Sequence, residues 1–153
     1  MAIWTIPFGG IAVSTAVDIE VTHTRNFIVH EIVFGQSSDY GDAEAKGVGV
    51  TIKRGVGHTA GSGGTTLVSQ LTGGYVASGG PTGKAFNTTQ ASAGAGTLSN
   101  IRSDGVNLQA GYQYLSASKR TQISYSALSA CVISITAPSA AVTMYGTIVV
   151  EDI

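Results

Sequence analysis

The chain has 153 residues, of which 43% are hydrophobic and only 11% charged, against roughly a quarter charged in an ordinary globular domain. Eight basic and nine acidic residues leave a formal net charge of −1, and they are scattered in ones and twos, so no basic patch is dense enough to gather nucleic-acid phosphates by counterion release. The longest apolar runs, residues 27–34 and 142–150, are broken by His30, Glu31 and Gly146 and fall well short of the roughly 20 residues that a membrane-spanning helix needs.

One soluble domain is therefore expected, without a nucleic-acid or membrane partner. The start of the chain, Met-Ala-Ile-Trp-Thr-Ile-Pro-Phe, lacks the charged and long apolar regions of a secretory signal, which points to a protein made in a cytosol or assembled there.

In chain order, residues 3–8 read as a first short strand, and Ile3, Trp4 and Ile6 suggest a strand or arm over residues 1–10 that docks on its own domain or on a neighbouring subunit. Val17, Ile19 and Val21 alternate with polar residues and share one face of a strand. Residues 27–34 are almost continuously apolar, as in a central strand covered on both sides over part of its length; His30 within them is expected to be satisfied by a carboxylate or a backbone carbonyl. Val48, Val50 and Ile52 line another strand face.

Thirteen of the 21 glycines fall between Gly55 and Gly105, so residues 55–105 are expected to be loops. Their composition is mostly Gly/Ser/Thr/Ala, nearly without charge, with apolar anchors such as Leu67, Leu71 and Tyr75, which suits ordering by a partner better than permanent disorder. Further strands are expected near 85–89, 106–115, 122–125 and 130–135, and at the end of the chain, where Val142, Met144, Gly146, Ile148 and Val150 share a face. Helical periodicity is absent throughout. Eight or nine strands in one domain imply an all-β, two-sheet antiparallel sandwich, jelly-roll-like, with long Gly/Ser/Thr-rich loops.

Sites for chemistry are few. The run Gly79-Gly-Pro-Thr-Gly-Lys84-Ala85 imitates a phosphate-binding loop, but Ser78 replaces its first glycine and Ala85 its metal-binding hydroxyl. No nucleophile elbow is present, and the lone Cys131 lies in an apolar run where a thiol stays inert. His23 and His58 read as loop residues. Asp39, Asp42 and Glu44 are the best metal candidates, yet their spacing fits turn chemistry better than a calcium loop. No enzyme activity, cofactor or metal is expected. Tyr112 and Tyr114 share a strand face and are candidate interface or sugar-stacking residues, with a core role equally open.

The pattern His30-Glu-Ile-Val-Phe-Gly-Gln-Ser-Ser-Asp-Tyr-Gly-Asp-Ala-Glu-Ala, with Ile52-Lys-Arg-Gly, Gly63-Gly-Thr-Thr, Asn87-Thr-Thr-Gln, Gly111-Tyr-Gln-Tyr-Leu and Thr143-Met-Tyr-Gly-Thr-Ile-Val-Val-Glu, resembles small structural proteins of tailed bacteriophages of the capsid decoration, or cement, type. The chain departs from that pattern after Gly63-Gly-Thr-Thr, where Leu-Val-Ser-Gln-Leu-Thr-Gly-Gly-Tyr replaces a stretch richer in proline and acid. The resemblance implies a sandwich on the outside of a virion shell, assembled in the host cytoplasm, with the major capsid protein as partner and a homotrimer as the unit. A fibre-tip domain that binds a host glycan is the alternative.

Overall fold

The computed structural model describes residues 1–38, 47–74 and 79–153. Asp39, Asp42, Glu44 and Tyr75 lie outside the described residues. Within them the chain is all-β with no helix. The first sheet contains β1 (Ala2–Val13), β3 (Phe27–Gln36), β6 (Gln70–Gly74), β9 (Tyr112–Leu115), β10 (Ile123–Tyr125) and β12 (Val142–Asp152). The second contains β2 (Val17–Thr22), β4 (Gly47–Val56), β5 (Thr65–Thr66), β7 (Thr82–Asn87), β8 (Thr97–Asn107) and β11 (Ala130–Ile135).

Strand order is β10–β3–β12–β1–β6 in the first sheet, with β9 also on β3, and β5–β7–β2–β11–β4–β8 in the second. All pairings are antiparallel. Setting aside β5, β6 and β7 leaves four strand positions per sheet, through which the chain winds in the double Greek key of a jelly roll. Those three strands belong to an insertion between β4 and β8 that crosses to the far edge of both sheets. Residues 55–105 are thus not plain loop: the insertion completes one edge of each sheet, and β8 completes the opposite edge of the second.

The core lies between the sheets and follows the alternation of the sequence. Val17, Ile19 and Val21 of β2, Val48, Val50 and Ile52 of β4, and Val142, Met144, Ile148 and Val150 of β12 are all buried in it. In β3 the inward face changes partway: Phe27 and Val29 are buried before His30, and Ile32 and Phe34 after it. The cause is a bulge, since Val149 opposes Glu31 while Val150 opposes Val29, leaving His30 as the extra residue. His30 carbonyl accepts from Ser116 N–H at 2.8 Å where β9 gives way to β10, and its Nε2 lies 2.7 Å from Glu151 Oε2.

The N-terminal segment is a full strand of its own sandwich. β1 pairs with β12 along its length, and Trp4 and Ile6 are buried. At the same end, Asp152 accepts hydrogen bonds from Ala2 N–H and from Arg25 at 3.4 Å. His23 beside it lies in the loop after β2 and is buried there. Its Nδ1 accepts from Thr24 N–H at 3.0 Å, and burial holds its pKa below the usual 6.5 despite the nearby Asp152.

The folded state therefore prefers neutral His23, whereas the unfolded chain takes up a proton near its ordinary value. The stabilisation is present above pH 6.5 and is lost as pH falls below it. Chemical denaturation between pH 7.5 and 5 should show stability declining toward acid, and His23→Gln should flatten that slope. In the core, Ile133→Ala should lower stability by about 2–5 kcal/mol, read as a shift in the denaturation midpoint.

Candidate binding surface

Charge is distributed unevenly over this frame. Residues 1–17, 55–83 and 85–101 contain no Asp, Glu, Lys or Arg. The first two stretches meet where β6 pairs with β1, and the insertion between β4 and β8 carries a single formal charge, Lys84. One edge of the sandwich, and the layer next to it, is therefore built from uncharged side chains.

That edge opens into a cleft of about 380 Å³, lined by Pro7, Phe8, Leu67, Val68, Phe86 and Tyr145 among others. It exists because β6 pairs only with Ala2 to Thr5 of β1, leaving the rest of β1 without a partner on that side among the described strands. Two devices keep the exposed edge from pairing with a stray strand: Pro7 lacks an N–H, and a bulge between Gly9 and Ile11 interrupts the register. Gly9 and Gly10 take φ of 145° and 80°, and Tyr145 packs so closely on Gly9 that a Cβ there would overlap its ring. Phe86 is held at φ 59° and meets Phe8 edge to face at 5.7 Å between centroids. Val68, 63% exposed, forms the outer lip.

A second uncharged surface covers the outside of the second sheet. Residues 57–63 and 88–96 run side by side there, joined by reciprocal backbone hydrogen bonds between Thr59 and Ser92 and between Ser62 and Thr89, all 2.9–3.1 Å. Beneath them Ala91 packs with Ala130, Val132 and Leu98. Glycine is required where this insertion meets the sheet: a Cβ at Gly83 would run into the carbonyl of Glu20.

The residues singled out from sequence separate into two groups. Ile3 and Leu71 are exposed along the uncharged edge, and Leu67 lies at the cleft. Tyr112 and Tyr114, by contrast, are only 5% and 4% exposed, so neither offers a face to a partner or a sugar. They close the opposite side of the sandwich. Tyr112 hydroxyl donates to Asp104 of β8 at 3.0 Å, and Tyr114 hydroxyl donates to the Thr121 carbonyl at 3.1 Å. Burial raises both phenols, while hydrogen bonding to Arg102 holds the Asp104 carboxyl below its usual value.

The glycine run at Lys84 enters strand β7 rather than a helix and has none of the setting of a phosphate loop. Burial pushes the Cys131 thiol up to about 12, away from the thiolate that nucleophilic or redox chemistry needs. No group of three or more His, Cys, Asp or Glu side chains among the described residues is placed to hold a metal ion.

Sequence reasoning missed Asp18, Glu20 and Asn87. All three are buried, the two carboxylates under the insertion and Asn87 at its junction with β2, and the alternation that placed Val17, Ile19 and Val21 inward assigned the two carboxylates to solvent.

No family model matches the chain. No curated protein matches it. Among solved structures, the crystal structure of infectious bursal disease virus VP2 subviral particle aligns at 16% identity over 99% of this chain and 41% of that one, with a TM-score of 0.13. The structure of the Gx strain of the same virus aligns at 16% identity over the same shares, with a TM-score of 0.14. The chain thus spans about two fifths of those chains, and likenesses this slight carry no argument about fold or function.

The cleft should concentrate an apolar environment-sensitive dye. Val68→Asp should abolish that fluorescence gain while changing stability by no more than about 0.5 kcal/mol, as for an exposed surface substitution; unchanged dye binding would place the apolar site elsewhere.

Proposed function

We propose that this protein is a structural component of a tailed-phage virion that binds the outside of the capsid and reinforces the shell by bridging capsid subunits. The observation that carries this reading is the insertion between β4 and β8, which presents an almost charge-free surface on a sandwich whose charges lie elsewhere. Such a surface loses little on desolvation against another protein, because few ionic groups must be stripped of water. The sequence resemblance to capsid decoration proteins supports the same assignment, and a homotrimer is the proposed unit.

The mechanism is added contact area. A modest contact repeated on a symmetric lattice gains by avidity, and anything that binds the closed shell but not the opened one raises the free energy of opening. Catalysis has no part in it.

Co-sedimentation of the purified chain with emptied phage heads is the test. Saturable binding on the order of a few hundred copies per head is expected for symmetric decoration, with heads that resist heating longer. Because the insertion carries only one formal charge, Lys84, affinity should change little between low and high salt. Ala60→Glu combined with Ala93→Glu, both exposed on the insertion, should leave the fold intact and weaken binding at least about tenfold by burying unpaired charge. Absence of binding to heads, together with sugar-dependent retention on a glycan array, would contradict the proposal in favour of a receptor-binding module.

A further inference from the structure

Asp18 and Glu20 lie two residues apart on β2, on the outer face that a sandwich strand ordinarily gives to water. Both are buried here, at 0% and 5% exposure. Glu20 accepts from His58 Nε2 at 2.7 Å, Gly61 N–H at 2.8 Å and Asn87 Nδ2 at 3.3 Å. Asp18 accepts from Ala91 N–H at 2.6 Å and Gln90 Nε2 at 3.3 Å. Every one of these five donors belongs to the insertion, and both acceptors belong to the sandwich. Among the described residues, no Lys or Arg nitrogen forms an ion pair with either carboxylate.

Two buried carboxylates without a guanidinium or ammonium partner depend on their hydrogen bonds for solvation. The dependence is mutual: the acids need the donors, and the Gly-rich strips that supply them would otherwise sample many conformations. Each carboxylate holds a different strip, Glu20 the first (57–63) and Asp18 the second (88–96), and the strips are bridged to each other.

We propose that Asp18 and Glu20 are positioning residues for shell binding: without touching the partner, they hold both strips of the insertion in place on the outside of the second sheet, so that the docking surface is ordered before it docks. This inference rests on the docking role proposed above. Ordering in advance removes an entropic cost that would otherwise be met at the moment of association.

The test combines hydrogen–deuterium exchange with head binding on full-length Glu20→Gln, Asp18→Asn and His58→Ala. In Glu20→Gln, amides of 57–63 should exchange roughly ten- to a hundredfold faster, the loss expected for charge-assisted hydrogen bonds. Exchange in β3 and β12 should stay unchanged, and affinity for heads should fall at least about tenfold through faster dissociation. Asp18→Asn should act first on 88–96. His58→Ala leaves both carboxylates in place and should loosen 57–63 more than 88–96, which keeps the test decisive even if the acid variants fold poorly.

Unchanged exchange in the strips would overturn the proposal, as would a rise spread evenly over the whole sandwich. So would loosened strips with unaltered affinity for heads. If the wild-type chain itself ignores heads, the docking role fails while the exchange results still decide whether the carboxylates fasten the insertion.

Discussion

The architecture depends on one constraint: the middle of the second sheet, strands β2 and β11, is buried on both of its faces. Every residue of β11, from Ala130 to Ile135, is buried, although a two-layer sandwich covers only one face of a strand. Cys131, Ile133 and Ile135 enter the core between the sheets, whereas Ala130 and Val132 need a cover outside it. The insertion between β4 and β8 is that cover. A third layer so thin and so rich in glycine cannot supply much apolar area, and its attachment relies instead on the polar contacts to β2.

This constraint also explains why the charges lie where they do. Several of the described acids and bases fix the chain: Asp152 gathers Ala2 and Arg25 at one end, and Arg102 with Asp104 ties β8 to Tyr112 of the other sheet. Arg54 does the same near β10, donating to the Ser124 carbonyl at 2.7 Å and lying 5.5 Å from the centre of the Tyr125 ring. Tyr125 in turn stacks on Phe27 at 4.9 Å. With ionic groups used in this way, the edge at β6 and the outer strips are left uncharged, and a surface of that kind is suited to being covered.

Much of the fold was legible because period-two alternation is a local signal. Val48, Val50 and Ile52, or Met144, Ile148 and Val150, announce their face without reference to any other segment. The failures are non-local. Residues 27–34 look like a strand covered on both sides, when a bulge at His30 moves the inward face from odd to even positions. Residues 65–74 look like loop because they lie in the glycine-rich stretch 55–105, and Thr65–Thr66 and Gln70–Gly74 become strand only through pairing with β7 and β1. The tyrosines at 112 and 114 have the same spacing whether they face a partner or a core. Asp18 and Glu20 read as solvated because nothing near them in sequence reveals that residues 57–63 and 88–96 fold back over them. The uncharged character of 55–83, in contrast, was visible from composition alone, and it is the feature on which the functional reading turns.

The most direct test of that reading is a cryo-electron microscopy reconstruction of emptied heads saturated with the protein. The account predicts sandwich-shaped density on the outside of the shell, with residues 57–74 and the β1 edge turned toward capsid subunits or toward neighbouring copies of the chain. Density in which the charged β8–β9 side makes the contacts, leaving the uncharged insertion facing solvent, would contradict it.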